Sequence, residues 1–165
     1  MRIAIIGDVH GCADEFNQLI NIVKPKTDLI VQLGDLLHKG PESAKCVELS
    51  MKKVDVQLFG NHEQKHIRWL ANVQKNTAHT MKNIGDYEDV NLTQEQINYL
   101  LTSQLALSHK HWLVVHAGVP SNCSPEYRNL SIYRLEDKIP DKYKTSLYLR
   151  YEDENKKSVN YGNEK

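Results

Sequence analysis

The chain has few cysteines, no excess of either charge and no long apolar run. Its three cysteines, Cys12, Cys46 and Cys123, are odd in number, widely spaced and without a CxxC pair. They build no disulfide framework, and they fit a reducing cytoplasm. Lysine plus arginine, at 21, balances aspartate plus glutamate, at 21. Net charge therefore argues for neither a nucleic-acid partner nor a membrane surface. Only four apolar residues follow Met1-Arg2 before Gly7-Asp8, too few for the apolar stretch of a secretion signal. No run approaches membrane-spanning length, and there is no repeat or low-complexity tract. What remains is 165 residues of ordinary apolar content. That is the size and composition of one folded, soluble domain with a real core, spanning 1–165.

The apolar pattern alternates between strand-like and helix-like stretches. RIAII (2–6), DLIVQL (28–33) and VDVQLF (54–59) predict strands. Residues 12–23 carry Phe16, Leu19, Ile20 and Val23 at helical spacing, and Pro25 ends that helix. Residues 41–53 predict a helix with Pro41 at its first position. Residues 63–74 predict another, with Ile67, Leu70 and Ala71 on one face. Thr93 with Gln96 three residues on is a capping box that opens a helix over 93–104. LALS and HWLVV (111–115) predict a hairpin feeding a buried strand. Strands alternating with helices imply βαβ units and a largely parallel sheet. The polar stretch 75–92 has no clear periodicity. The charged segment 152–165 reads equally as a frayed tail and as an ordered end.

Each of four strand ends runs into a polar, glycine-bearing loop: GDVHG (7–11), GDLLHKG (34–40), GNHE (60–63) and HAG (116–118). In open α/β sheets, sites form beyond the carboxyl ends of the strands, so the four loops are expected to converge. Asp8, His10, Asp35, Asn61 and His116 then offer carboxylate, amide and imidazole ligands. That set suits Mn²⁺, Fe or Zn²⁺ and argues against a closed structural zinc site. Five ligands are too many for one open ion but suit two ions that share a carboxylate. Paired ions roughly 3.5–4 Å apart clamp the attacking and leaving oxygens of a phosphoryl transfer.

GDVHG, GDLLHKGP, GNHE and HAG resemble the calcineurin-like metallophosphoesterases, in the branch of phosphoprotein phosphatases and symmetrical diadenosine tetraphosphate hydrolases. GNHEQKHIRWL, LVVHAGVP and LRYEDEN are similar to the phosphatase module of bacterial polynucleotide kinase-phosphatase and related phage phosphatases. The resemblance covers about residues 2–155. It implies an α/β metallophosphoesterase fold, a β-sandwich core flanked by helices and shortened at the C-terminus. It implies that Asp8 and His10 hold a first ion, that Asp35 bridges, and that Asn61 and His116 hold a second. A hydroxide held between the ions would attack phosphorus in line. His62, directly after Asn61, would give the leaving alkoxide its proton, help typically worth about 10²–10⁴-fold.

Two departures from the family pattern carry expectations. The family's GDxxDRG is here GDLLHKG, so His38 stands where an aspartate orients the catalytic histidine and Lys39 where an arginine meets phosphate. A charged His38 would depress the pKa of His62. Lys39 attracts phosphate as a point charge without the bidentate fork. Weaker phosphomonoesterase activity than the family norm is expected. No histidine follows His116, so the family's downstream Gly-His ligand is missing. The chain is a shortened variant or has lost its end. His79, His109, His111, Asp153 and Glu154 are the candidate stand-ins, and none has a spacing that singles it out. Arg150, or else Arg128, would meet the phosphate. The expected reaction is hydrolysis of phosphate monoesters on a small molecule, nucleotide or protein. Dinucleoside polyphosphates, 2′,3′-cyclic phosphates and a non-catalytic metal- or phosphate-binding role are the alternatives. A nucleic-acid end finds no support in the charge.

Overall fold

The computed structural model of the protein describes residues 1–77, 85–109, 111–119, 125–148, 151–152 and 158–159. Three strands, β1 (Ile3–Ile6), β2 (Leu29–Gln32) and β3 (Val56–Gln57), form one parallel sheet in that order. Ile3 pairs with Leu29 and Val31 with Val56. Parallel neighbours need crossover connections. Here those are α1 (Ala13–Val23) and α2 (Ser43–Lys53). After β3 come α3 (Asn61–Gln74), the short α4 (Gly85–Glu88) and α5 (Gln94–Thr102).

An antiparallel pair, β4 (Ala106–Ser108) and β5 (Leu113–Val115), follows as the expected hairpin. Leu58 bridges Gln104 in parallel, carrying the main sheet toward this pair. Ile3, Ile5 and Val31 of the parallel sheet and Leu107, Trp112 and Val114 of the hairpin line one apolar cavity of about 190 Å³, so the two sheets face each other. A single core of Phe16, Ile20, Leu36, Phe59, Leu100 and Leu130, among others, sits under the helices.

Several details differ from the sequence expectations. Pro41 lies before α2, whose N-cap is Glu42. α1 does end at Val23 as expected, and Pro25, with its fixed φ, sits in the short 3₁₀ turn Lys24–Lys26 that follows. Leu19 stays 41% exposed while Phe16 and Ile20 turn inward. β5 is half-buried rather than buried. Helix α3 buries Glu63 and His66 instead of an apolar face, with Ile67, Leu70 and Ala71 only half covered. The Thr93–Gln96 capping box is present, with reciprocal bonds of 2.9 and 3.2 Å. Cys12 and Cys46 are free thiols. Cys123, His79, Asp153, Glu154 and Arg150 lie outside the described residues. Among the described residues, no helix is long and apolar enough to cross a membrane.

Candidate metal centre

The loops after β1 and β2 are stitched together by backbone bonds. Val9 and His10 donate to the carbonyl of Asp35, and Gly11 donates to that of Leu36, at 2.8–3.0 Å. Gly40 in turn donates to the carbonyl of His10. This stitching forces unusual backbone. His10, Asp35, His38 and Lys39 all have φ between 49° and 70°. A positive φ costs a non-glycine residue free energy and persists only where its surroundings over-determine it, commonly at functional sites. The loop after β3 packs equally closely. A side-chain carbon at Gly60 would overlap the Asp35 carboxylate and stand 2.8 Å from the His116 ring.

Asp35 is the hub. It is 3% exposed. Its Oδ1 accepts from the backbone N–H of His62 at 2.9 Å. Its Oδ2 faces three imidazoles: His116 Nε2 at 3.5 Å, His10 Nε2 at 3.7 Å and His62 Nε2 at 4.0 Å. Burial raises the Asp35 carboxyl above its ordinary range. Asp8, more exposed, lies 3.6 Å from His10 Nε2 and 3.9 Å from His116 Nδ1. The closeness of the two groups holds the Asp8 carboxyl down and lifts the His10 ring. Two sets of potential ligand atoms lie within 4.8 Å of one another, His10–Asp35–His62 and Asp8–Asp35–His116, and Asp35 belongs to both.

The donor chemistry of the site fits cations. His10 Nδ1 donates to the carbonyl of Leu37 at 3.0 Å, and His116 Nδ1 donates to that of Leu33 at 3.1 Å. Each ring is thereby fixed with Nε2 as a lone pair turned inward, the outer-shell arrangement of metal-ligating histidines. Asn61 Oδ1 faces the His116 Nε2 lone pair at 3.2 Å. With the amide turned over, Nδ2 donates to Asp35 and His116 and the oxygen accepts from Lys65. In that orientation the amide ties Asp35, His116 and Lys65 together. The Lys39 ammonium donates to His10 Nε2 at 2.7 Å. It must swing aside for that nitrogen to ligate.

The five expected ligands thus come together, with His62 beside them. His62 is pushed down to about 3, first by burial and then by His10, His38 and Lys39, so near pH 7 it is a neutral ring with a single N–H to offer. His38 is buried and its Nδ1 lies 2.8 Å from His62 Nδ1, so it does meet the catalytic candidate. His109 and His111 are no stand-ins for a missing ligand. They sit beside each other at the β4–β5 turn, where the His109 ring stacks on Trp112. Among the described residues neither belongs to a ligand set. The backbone of Arg128 lies in a 3₁₀ helix, Pro125–Ile132.

Two residues of this centre were not foreseen. Glu63 is fully buried, and its carboxylate accepts from the backbone N–H groups of Asp35, Leu36, Leu37 and Gly60 at 2.7–3.2 Å. It binds the loop of one ligand to the loop of another. His66 is fully buried beside His38. The signals were Glu63 three residues past Gly60, where a carboxylate reaches back to a helix N-terminus, and His66 four residues past His62, on the same helix face.

Burial pushes His66 down to about 4, so the folded protein holds it neutral near pH 7. The unfolded chain takes up a proton below about 6.5 while the folded one does not, so stability falls as pH drops from about 6.5 toward 4. From pH 7 to pH 5 the loss assigned to this ring is about 2 kcal/mol. Urea unfolding at both pH values, in the parent and in His66→Phe, measures it. A parent and variant with the same acid slope would contradict it.

Residues 1–162 match the calcineurin-like phosphoesterase family, and the chain belongs to it. A symmetrical bis(5'-nucleosyl)-tetraphosphatase of Delftia acidovorans is 32% identical over 129 residues, which is 72% of this chain and 45% of that one. Serine/threonine-protein phosphatase 1 of Salmonella typhimurium is 23% identical over 79% of this chain and 65% of its own. The crystal structure of a metallophosphoesterase from Sphaerobacter thermophilus matches with a TM-score of 0.56 at 27% identity, covering 71% of this chain and 47% of that one. The chain therefore spans about half to two-thirds of the length of these relatives.

Proposed function

We propose that the chain is a metal-dependent phosphoesterase that hydrolyses phosphate monoesters. The observation that carries this reading is Asp35, one buried carboxylate common to the sets His10–Asp35–His62 and Asp8–Asp35–His116, with Asn61 beside His116 and Asp8 3.6 Å from His10. Asp8 and His10 would hold one divalent ion, Asn61 and His116 a second, and Asp35 both. A carboxylate, amide and imidazole set suits Mn²⁺ first, with Fe or Zn²⁺ as alternatives. Bound as a pair, such ions neutralise phosphate charge and lower the pKa of water. The protein's own part is positioning. Backbone stitching and Glu63 fix the loops, His62 offers Nε2 to the leaving oxygen, and Lys39, once off His10, supplies positive charge to the phosphate, with Arg150 as a further candidate.

A proton donor matters in proportion to how poor the leaving group is. With Mn²⁺, His62→Ala should lower kcat on an alkyl phosphate by about 10²–10⁴-fold. Its effect on a nitrophenyl phosphate should be much smaller. Equal losses on both esters would remove His62 from that role. No turnover by the parent on either ester, with metal bound, would leave a binding module.

A second reading is favoured by one feature. A cavity of about 630 Å³ opens beside Lys39, lined by Ser43, Lys45, Asp89 and Asn91 among others. It offers polar room for much more than a phosphate, and the Delftia relative is a tetraphosphatase. Comparing kcat/KM for a dinucleoside tetraphosphate and for simple monoesters decides between the two.

A further inference from the structure

Three imidazoles form an unbroken chain inward from the metal centre. His62 Nδ1 meets His38 Nδ1 at 2.8 Å, and His38 Nε2 meets His66 Nδ1 at 3.1 Å. The outer end opens on the centre, where His62 Nε2 lies 4.0 Å from Asp35 Oδ2. The inner end is closed. His66 is wholly buried, its ring packs against Trp69 and Tyr87, and its Nε2 has no hydrogen-bond partner among the described residues.

That closed end decides the direction of the chain. A neutral imidazole carries one N–H and one lone pair. If the protons pointed inward, from His62 to His38 to His66, the His66 Nε2–H would be a buried donor with nothing to donate to. If they point outward, His66 Nε2 is a lone pair, and an unsatisfied acceptor is the more readily tolerated orphan. The outward order places Nδ1–H of His66 on His38 Nε2 and Nδ1–H of His38 on His62 Nδ1. His62 must then carry its proton on Nε2, the nitrogen that faces the centre.

We propose that His66 is a positioning residue that sets the direction of the His66–His38–His62 hydrogen-bond chain, so that His62 presents Nε2–H to the leaving oxygen. The benefit to catalysis rests on the function proposed above, but the direction of the chain does not. The Nε2 proton that His62 gives to the alkoxide is replaced from solvent water, so none need travel along the chain, which selects a tautomer. The depressed pKa of His66 agrees, since a neutral ring there has only one proton to place. Nothing in GDLLHKG alone reveals this arrangement. It needs His66 one helical turn past His62 and a histidine at position 38 between them.

The test is long-range ¹H–¹⁵N correlation on ¹⁵N-histidine-labelled, metal-free protein near pH 7.5, which reads which ring nitrogen carries the proton. The expected pattern is Nδ1–H at His66 and His38 and Nε2–H at His62. In His66→Asn, whose amide N–H stands close to the place of Nδ1, His62 should keep Nε2–H. In His66→Phe, the His62 and His38 signals should show mixed tautomers. With Mn²⁺, His66→Phe should lower kcat on an alkyl phosphate by about tenfold or more, with KM and nitrophenyl phosphate turnover little changed, and His66→Asn should restore the loss. Nε2–H at His66 in the parent, or an unchanged His62 tautomer in His66→Phe, overturns the proposal even if that variant loses activity. The spectra of the parent decide the direction even if a variant folds poorly or no ester is turned over. Failure of the catalytic reading is therefore distinguishable from failure of this one.

Discussion

Asp35→Asn should abolish the response to metal while leaving the metal-free protein at least as stable. In the parent, Mn²⁺ at about 100 times its Kd adds about 2.7 kcal/mol. For a domain of this size that is an upward Tm shift of roughly 5–10 °C. The asparagine variant should show almost none of that shift. Its turnover should fall by more than about 100-fold, since even residues behind metal ligands cost 10–100-fold in affinity or activity. The sign without metal runs the other way. Burial raises the Asp35 carboxyl, so its charge at neutral pH costs the folded state free energy that the amide removes. The bond from the His62 N–H to Oδ1 survives the change. Thermal unfolding with and without Mn²⁺ separates the outcomes. A variant that keeps the metal shift, or that is less stable without metal, would show that Asp35 is not the shared ligand.

Glu63→Gln should be the most damaging conservative change in the protein. Each carboxylate oxygen of Glu63 accepts from two backbone N–H groups, Asp35 and Gly60 on one side and Leu36 and Leu37 on the other. Burial and the nearby Asp35 raise this carboxyl, and the backbone amides oppose them. Glutamine turns an NH₂ group onto one pair of donors, leaving buried groups that repel. Breaking a buried charged cluster of this kind costs about 3–5 kcal/mol. The expected fall in Tm is roughly 10 °C or more. Urea unfolding checks it, and a loss below about 1 kcal/mol would mean that water reaches these amides. Both ligand loops hang on this one side chain, so metal affinity should fall along with stability.

The sequence made the parallel strands and the four polar loops legible because each leaves a local trace. Three apolar runs of strand length stop at Gly7, Gly34 and Gly60 just ahead of Asp8, Asp35 and Asn61, and the fourth runs straight into His116. The Thr93 cap was legible for the same reason, since its partner is three residues away. What escaped depends on contacts across many residues. Glu63 meets Leu36 across 27 positions and His66 meets His38 across 28. Helix α3 looked as if it would bury Ile67, Leu70 and Ala71, but it instead turns a carboxylate and an imidazole inward. Hydrophobic periodicity cannot report a face that is buried because it is polar. The expected link between His38 and His62 was drawn from the family pattern, and its inner extension had no counterpart there.

The positive φ angles at His10, Asp35, His38 and Lys39 have a consequence for anyone seeking a hardier version of this protein. Each is a place where glycine would relax the chain, and together they hold several kcal/mol in reserve, at roughly 1–3 kcal/mol apiece. A screen that rewards heat resistance alone will be drawn to these positions and will blunt the centre as it succeeds. Safer gains lie at exposed apolar residues such as Ile22 and Ile132, neither of which has a positive φ.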